Sequence, residues 1–365
     1  MSRRTALFPV PWALVGVLAA CGGTASEETA TGVECTDESQ CASVDELTKA
    51  VPPFPLLSPK AAKYPIVLHH GFNASSSNSW SYYQVKEALE KDGNFVVVSE
   101  VEPFQGVPAR AASLAKIVEQ ARVAFCAKKA PTDATCAQTT KVNLVAHSMG
   151  GLDARYLVSA LGYGDRVASV TTISSPHRGS AVADAVLGLV KYDAVNKVFS
   201  ELAGFYGKTF TADDLAKNSD IRAAFVSLSE ENAAKFNATV VNDARVYYQS
   251  WAGVSRAVGG PRTSAGQAEV KAACGGTYYG EVGRADFMAA SLVIGSTVVG
   301  HFSSTPQDGM VTVENAKWGN FRGCFPSDHL DEVGQVKKTG PDPYTLWDHR
   351  VFYRNLATDL AARGF

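Results

Sequence analysis

The chain has 365 residues, 46% of them hydrophobic, and its 34 basic against 36 acidic side chains give a formal charge of −2. That length and apolar content suit one large α/β domain or two small ones. No basic stripe marks a nucleic-acid surface, and no internal repeat suggests a solenoid.

The N-terminus reads as targeting. Arg3 and Arg4 precede a mostly apolar stretch, residues 6–20, ending in Leu18-Ala19-Ala20-Cys21. This resembles a bacterial lipoprotein signal, residues 1–20, after which Cys21 is acylated; an ordinary signal peptide with Cys21 incidental is the alternative. Residues 21–50, rich in Gly, Ser, Thr, Glu and Ala, read as a flexible tether, and residues 51–365 as the folded domain. Of seven cysteines, six remain if Cys21 carries lipid. Spacing suggests Cys35 with Cys41, Cys126 with Cys136 and Cys274 with Cys324, although six cysteines allow fifteen pairings. No C-x-x-C and no histidine pair at ligand spacing supports zinc.

Along the domain, residues 64–70 form a short apolar strand, and 80–91 a helix. A strand over 95–101 follows, then an amphipathic helix over 109–124, with Pro108 at its start. Residues 142–146 form the next strand, a helix opens directly after Ser148, and 167–173 is a further strand. Strands alternating with helices predict a mostly parallel sheet covered on both faces. Residues 181–240 break the rhythm with apolar helical sequence and suggest a lid; ordinary helical packing on the sheet is the alternative. A strand returns over 245–254. The apolar run 287–300 is too short for a membrane span, which needs about twenty residues, and reads as a buried helix. Residues 344–362 close the chain as a helix.

The most informative segment is His147-Ser148-Met149-Gly150-Gly151, between the 142–146 strand and a helix. Small residues around an exposed serine on a sharp strand-to-helix turn make a nucleophile elbow; Ala146 stands where G-x-S-x-G has its first glycine. A serine nucleophile needs a base. His69, His70 and His177 sit in tight turns, where they position loops. The side chain of His147 should point away from that of Ser148. His301 follows the apolar helix, and His349 lies within the last helix. His329, in the turn-rich Pro326-Ser327-Asp328-His329-Leu330-Asp331, is the expected base. The orienting carboxylate should precede it, and Asp308 at the Gln307-Asp308-Gly309 turn is the expected acid. Backbone N–H groups of Phe72 and Met149 would form the oxyanion hole, with Gly71 allowing close approach.

These stretches together resemble the true bacterial lipases, in their calcium-dependent, often foldase-assisted branch. Residues 64–72, 141–152, 170–180, 307–309 and 329–332 carry the likeness, in family order. The resemblance implies an α/β-hydrolase fold with a helical lid, and a Ser148-His329-Asp308 triad. It implies a structural Ca2+ held by Asp286, Asp331 and the carbonyls of Gln335 and Thr339, no organic cofactor, and a possible lipase foldase as partner. If calcium is absent, Asp286 instead caps the apolar helix and Asp331 is solvated. The function expected is an exported, lipid-anchored triacylglycerol lipase or carboxylesterase. A short-chain esterase or acyltransferase with the same triad, and a non-catalytic surface lipoprotein, are the alternatives.

Overall fold

A computed structural model describes residues 56–72, 82–188, 219–299, 305–335, 341–342 and 344–365. Cys21, the Cys35 and Cys41 pair, His301, Thr339 and residues 189–218 of the suggested lid lie outside the described residues.

The elements alternate as the sequence pattern requires. Strand β1 (Ile66–His69) leads to α1 (Val85–Lys91), β2 (Val96–Val98), the long helix α2 (Val107–Lys129) and the short α3 (Cys136–Thr139). Then come β3 (Val142–His147), α4 (Met149–Ser159) and β4 (Val167–Ile173). Three helices follow, α5 (Ala181–Val186), α6 (Ser219–Leu228) and α7 (Glu230–Thr239). Strand β5 (Tyr247–Gly253) precedes β6 (Ser255–Arg256), β7 (Gly260–Pro261), α8 (Ser264–Ala273), β8 (Arg284–Phe287) and α9 (Ala290–Val299). The chain ends with α10 (Val313–Ala316), β9 (Asn320–Phe325) and α11 (His349–Ala362).

Among the described residues the main sheet runs β2-β1-β3-β4-β5-β9, and every pairing in it is parallel. Strand β3, which feeds Ser148, is buried along its whole length. Side chains alternate across the sheet, as a period of two demands. Ile66, Leu68, Val145 and Ile173 pack on Phe352, Tyr353, Leu356 and Leu360 of α11. Val67, Leu144, Ala146 and Val170 pack on Leu114 and Val118 of α2 and Leu157 of α4. This is the α/β-hydrolase fold. A small second sheet runs β6-β8-β7.

Several boundaries differ from the sequence reading, each for a local reason. Helix α2 starts at Val107 and runs to Lys129, with Pro108 in its first turn and Lys128 and Lys129 in its last, where cations suit the helix dipole. The final helix begins at His349, because Asp348 caps it by accepting from Arg350 N. Before that cap, the Asp342 carboxylate accepts from the N–H groups of Tyr344 and Thr345 and holds a turn. The apolar helix begins at Ala290, since Arg284–Phe287 pairs as a strand with β6 and β7. Asp286 therefore lies on a strand and does not cap that helix. Residues 181–240 are helical at both described ends, where Val182 and Val186 of α5 pack with Phe225 and Leu228 of α6.

Disulfides join Cys126 to Cys136 and Cys274 to Cys324. The second closes a loop of 50 residues and ties α8 to β9. Chain entropy assigns such a loop about 4 kcal/mol, against about 3 for the ten-residue loop. Replacing Cys274 and Cys324 by serine should therefore lower unfolding stability more than replacing Cys126 and Cys136, measured as denaturant midpoints at constant m-value.

Candidate active site

Ser148 closes β3 and opens α4 with φ 55° and ψ −132°, a backbone conformation that L residues resist. The strain presents its Oγ above the sheet end, and the sequence around it gives way accordingly. A Cβ on Gly71 would lie 2.6 Å from Ser148 Cβ, and one on Gly150 would lie 2.8 Å from the carbonyl oxygens of His69 and His70. Only glycine permits both approaches.

His329 Nε2 lies 2.9 Å from Ser148 Oγ, and its Nδ1 lies 2.7 Å from Asp308 Oδ2. With Asp308 at Nδ1, Nε2 is the ring nitrogen that faces Ser148 Oγ. Asp308 is fully buried, and its other oxygen accepts from the N–H groups of Met310 and Val311, 2.8 Å each. The His329 N–H also donates to the Asp308 carbonyl at 2.9 Å, so base and acid share one backbone unit. Phe72 and Met149, the residues expected to supply oxyanion donors, flank the serine. Met149 is the first residue of α4, and Phe72 follows Gly71. Phe72, Val182, Phe225, Leu228 and Met310 line an apolar pocket that reaches Ser148 and His329.

Beneath the Gly71 segment lies a buried polar network. Arg110 Nη2 donates to the carbonyls of His70 (2.8 Å) and Gly71 (3.3 Å), and its Nε donates to Asp153 Oδ2 at 2.8 Å. Asp153 also pairs with His69 Nε2 at 2.9 Å, while His69 Nδ1 lies 2.7 Å from Ser99 Oγ. His70 Nε2 accepts from Val101 N, which leaves Nδ1–H to donate to the Gly71 carbonyl at 2.9 Å. Burial, then Arg110 and His69, hold His70 well below the ordinary histidine range, so the ring is neutral as that pattern requires.

Behind the base sits Glu332, which the sequence reading missed. It is fully buried, accepts from Ser174 Oγ at 2.5 Å and lies 3.0 Å from His147 Nε2. Burial, then the negative charge of Asp308, push its carboxyl well above the usual range. His147 packs its ring 4.5 Å from that of His329. A lone Glu three residues past the base reads as a solvated charge; only the packed fold buries it.

A second acidic cluster lies beside the His329 loop. Asp286, Asp328 and Asp331, all buried, each place a carboxylate oxygen within 4.8 Å of the others'. Asp328 was not foreseen. Its oxygens accept from the N–H groups of Leu330, Asp331 and Ala289, yet burial, then the charge of Asp331, push it up to about 7. Gln335 closes this loop, its N–H donating to the Leu330 carbonyl.

A parallel sheet that ends in a strained serine, with histidine and buried aspartate in hydrogen-bonded line, defines the hydrolase class. Residues 65–254 match the family of palmitoyl protein thioesterases, and the chain belongs to that family. It is similar to triacylglycerol lipase 2 of Saccharomyces cerevisiae, 26% identical over 77% of this chain and 73% of that protein. It is also similar to a triacylglycerol lipase of Vibrio cholerae, 29% identical over 83% of this chain and 89% of that one. In fold it resembles the Staphylococcus hyicus lipase, with a TM-score of 0.55 at 16% identity over 84% of this chain and 98% of that structure. The protein is a carboxylic ester hydrolase.

The Arg110 network gives a test independent of chemistry. Arg110→Met leaves Asp153 buried without its guanidinium, and losing one partner of a buried ion pair costs about 3–5 kcal/mol. Thermal or denaturant unfolding should show a loss of that size; a change under about 1 kcal/mol would mean that water or His69 satisfies Asp153 alone.

Proposed function

We propose that the protein is an exported lipase or carboxylesterase, anchored by lipid on Cys21, that cleaves acyl esters through Ser148, His329 and Asp308. The observation that carries this reading is the unbroken line from Ser148 Oγ through His329, at 2.9 Å, to Asp308, at 2.7 Å. Ser148 Oγ attacks the ester carbonyl while His329 Nε2 takes its proton. Asp308 holds the ring and stabilises the imidazolium. The N–H groups of Phe72 and Met149 receive the negative charge that develops on the carbonyl oxygen. His329 then protonates the leaving alcohol, and water attacks the acyl-enzyme by the reverse proton path. The apolar wall of Phe72, Val182, Phe225, Leu228 and Met310 suits a hydrocarbon acyl chain, which favours a lipase over a short-chain esterase or an acyltransferase. The names of the yeast and Vibrio relatives support triacylglycerol as substrate class.

Calcium fits the cluster beside the His329 loop. Three buried carboxylates with oxygens within 4.8 Å form the all-oxygen donor set this ion prefers. Burial, then the charge of Asp331, push Asp328 up against the pull of three backbone N–H groups, and a cation placed among these carboxylates would oppose that push. Asp286 and Asp331 would hold the ion, with carbonyls of Gln335 and Thr339, and it would supply cross-linking charge rather than chemistry. Pinning the 328–335 loop to β8 would keep His329 in register. No lipase foldase is needed for this reading, but one remains compatible with it.

Ser148→Ala and His329→Ala should each lower ester hydrolysis by about 10⁴-fold or more without changing the unfolding midpoint, because the triad acts as a unit. Either variant keeping a tenth of wild-type rate would refute the assignment.

Removing calcium with a strong chelator should lower the melting temperature before activity falls, and Asp331→Ala should reproduce the shift. At free calcium about 100-fold above Kd the ion stabilises by about 2.7 kcal/mol, or about 5–10 °C. An unchanged melting temperature, with no calcium by elemental analysis, would remove the site.

A further inference from the structure

A second cavity lies away from the Ser148 pocket. It has a volume of about 650 Å³ and shares no lining residue with the pocket at Ser148. Its walls come from β6, the start of α8, the end of α9 and the segment before Asp308. Three independent features at one end favour an anion. The N-terminus of the ten-residue helix α8 opens there, with Ala265 and Gly266 on the wall. Thr263 caps the helix by accepting from Gly266 N, and the Gln267 N–H bonds the Thr263 carbonyl. The positive end of the helix dipole therefore lies at this wall.

The second feature is Arg262. It is only 7% exposed, and its Nε is buried with no hydrogen-bond partner among the described residues. Its Nη2 makes one long bond, 3.4 Å, to the Val254 carbonyl. A guanidinium carries five N–H donors, and leaving them unmet in a buried place is costly. Burial pulls Arg262 below the ordinary arginine range and Arg256 adds to that, while Tyr278, by charge and by a side-chain hydrogen bond, and Asp286 oppose it. Arg256 is the third feature, a second cation on the same wall. Against these stands Glu269, also on the wall, which cancels one positive charge.

We propose that this cavity binds a monoanionic carboxylate with a short hydrocarbon tail, its head at Arg262 and the start of α8. Among the lining residues two arginines and one glutamate leave a single positive charge, which Asp286 behind Arg262 further tempers, and this suits a monoanion better than a phosphate dianion. Val254, Val258 and Val270 give the remaining wall an apolar lining for a tail. The preference for an acyl carboxylate rests on the ester-hydrolase assignment, because such acids are what ester cleavage releases. The site would then sense product at a place distinct from where product forms.

The test is calorimetric titration of the full chain with octanoate after its active site has been blocked with a fluorophosphonate. One saturable site is expected. Ala265→Glu places a negative charge at the opening while suiting the first turn of a helix, so it should keep the fold and weaken binding at least tenfold. Arg262→Gln should do the same, and Arg262→Lys should retain binding within a few-fold. If Arg262→Gln does not fold, Ala265→Glu decides. Absence of saturable binding, affinity untouched by Ala265→Glu, or inorganic phosphate binding as tightly as octanoate would each overturn the proposal. Failure of the fluorophosphonate to react would count against Ser148 as nucleophile, and the comparison of wild type with Ala265→Glu would still decide this site.

Discussion

Keeping Ser148 at positive φ is the constraint on which the rest of this end of the molecule depends. A non-glycine residue held there costs about 1–3 kcal/mol and persists only where its surroundings over-determine it. Here they do. The Ser148 N–H bonds the Ile173 carbonyl of β4, and the Gly151 N–H bonds the Ser148 carbonyl, so strand pairing and the first helical turn meet at one residue. Strands β1 and β4 flank β3 on both sides. Two apolar layers, one under α11 and one under α2 and α4, clamp that sheet from above and below. Strain at the serine is thus sustained by burial far larger than itself.

The same end of the sheet collects buried charge, which ordinary packing would avoid. Arg110 with Asp153 and His69, Glu332 with His147 and Ser174, and the three aspartates at 286, 328 and 331 are all withdrawn from water. Each is tolerated for a different reason. Arg110 and Asp153 neutralise one another while the spare donors of the guanidinium fix two carbonyls beside the serine. Burial and the neighbouring Asp308 favour the neutral form of Glu332, which lets it sit close to that carboxylate. The aspartates are partly met by backbone N–H groups, and a divalent cation would meet the rest. Such groups are poor sources of net stability, but they fix geometry, here the line from Ser148 through His329 to Asp308 at 2.9 and 2.7 Å.

The elements legible in the sequence were those whose physics is local. Val142–His147 and Val167–Ile173 are short runs rich in β-branched and apolar residues, and the second strand matches its expected limits. The serine turn announced itself by the small residues of its own motif, although the contacts that demand glycine join distant parts of the chain, Gly71 against Ser148 and Gly150 against His69 and His70. Arg110, Asp153, Glu332 and Asp328 gave no such signal. A single charge in a sequence reads as solvated, and what buries these is pairing across long separations, 43 residues for Arg110 with Asp153 and 185 for His147 with Glu332. The run 287–300 misled at its start for a related reason. Phe287 is apolar but half exposed against Tyr344, and its strand forms only because β6 and β7 arrive from earlier in the chain.

The segment 307–312 carries more than its length implies. Gln307 pairs with Thr312 across a tight turn, the Asp308 N–H bonds the Val311 carbonyl, and Gly309 sits at φ 101° with Leu292 packed against the place of its missing side chain. One face of this turn supplies Asp308 to His329, and Met310 and Val311 to the apolar pocket at Ser148. The other face, through Gln307, walls the large cavity. A turn tied at both ends and packed on α9 cannot swing one face without the other. Asp308 and the wall of the second cavity therefore belong to one turn, and the short sequence that forms it is fixed by its neighbours rather than by its own propensity.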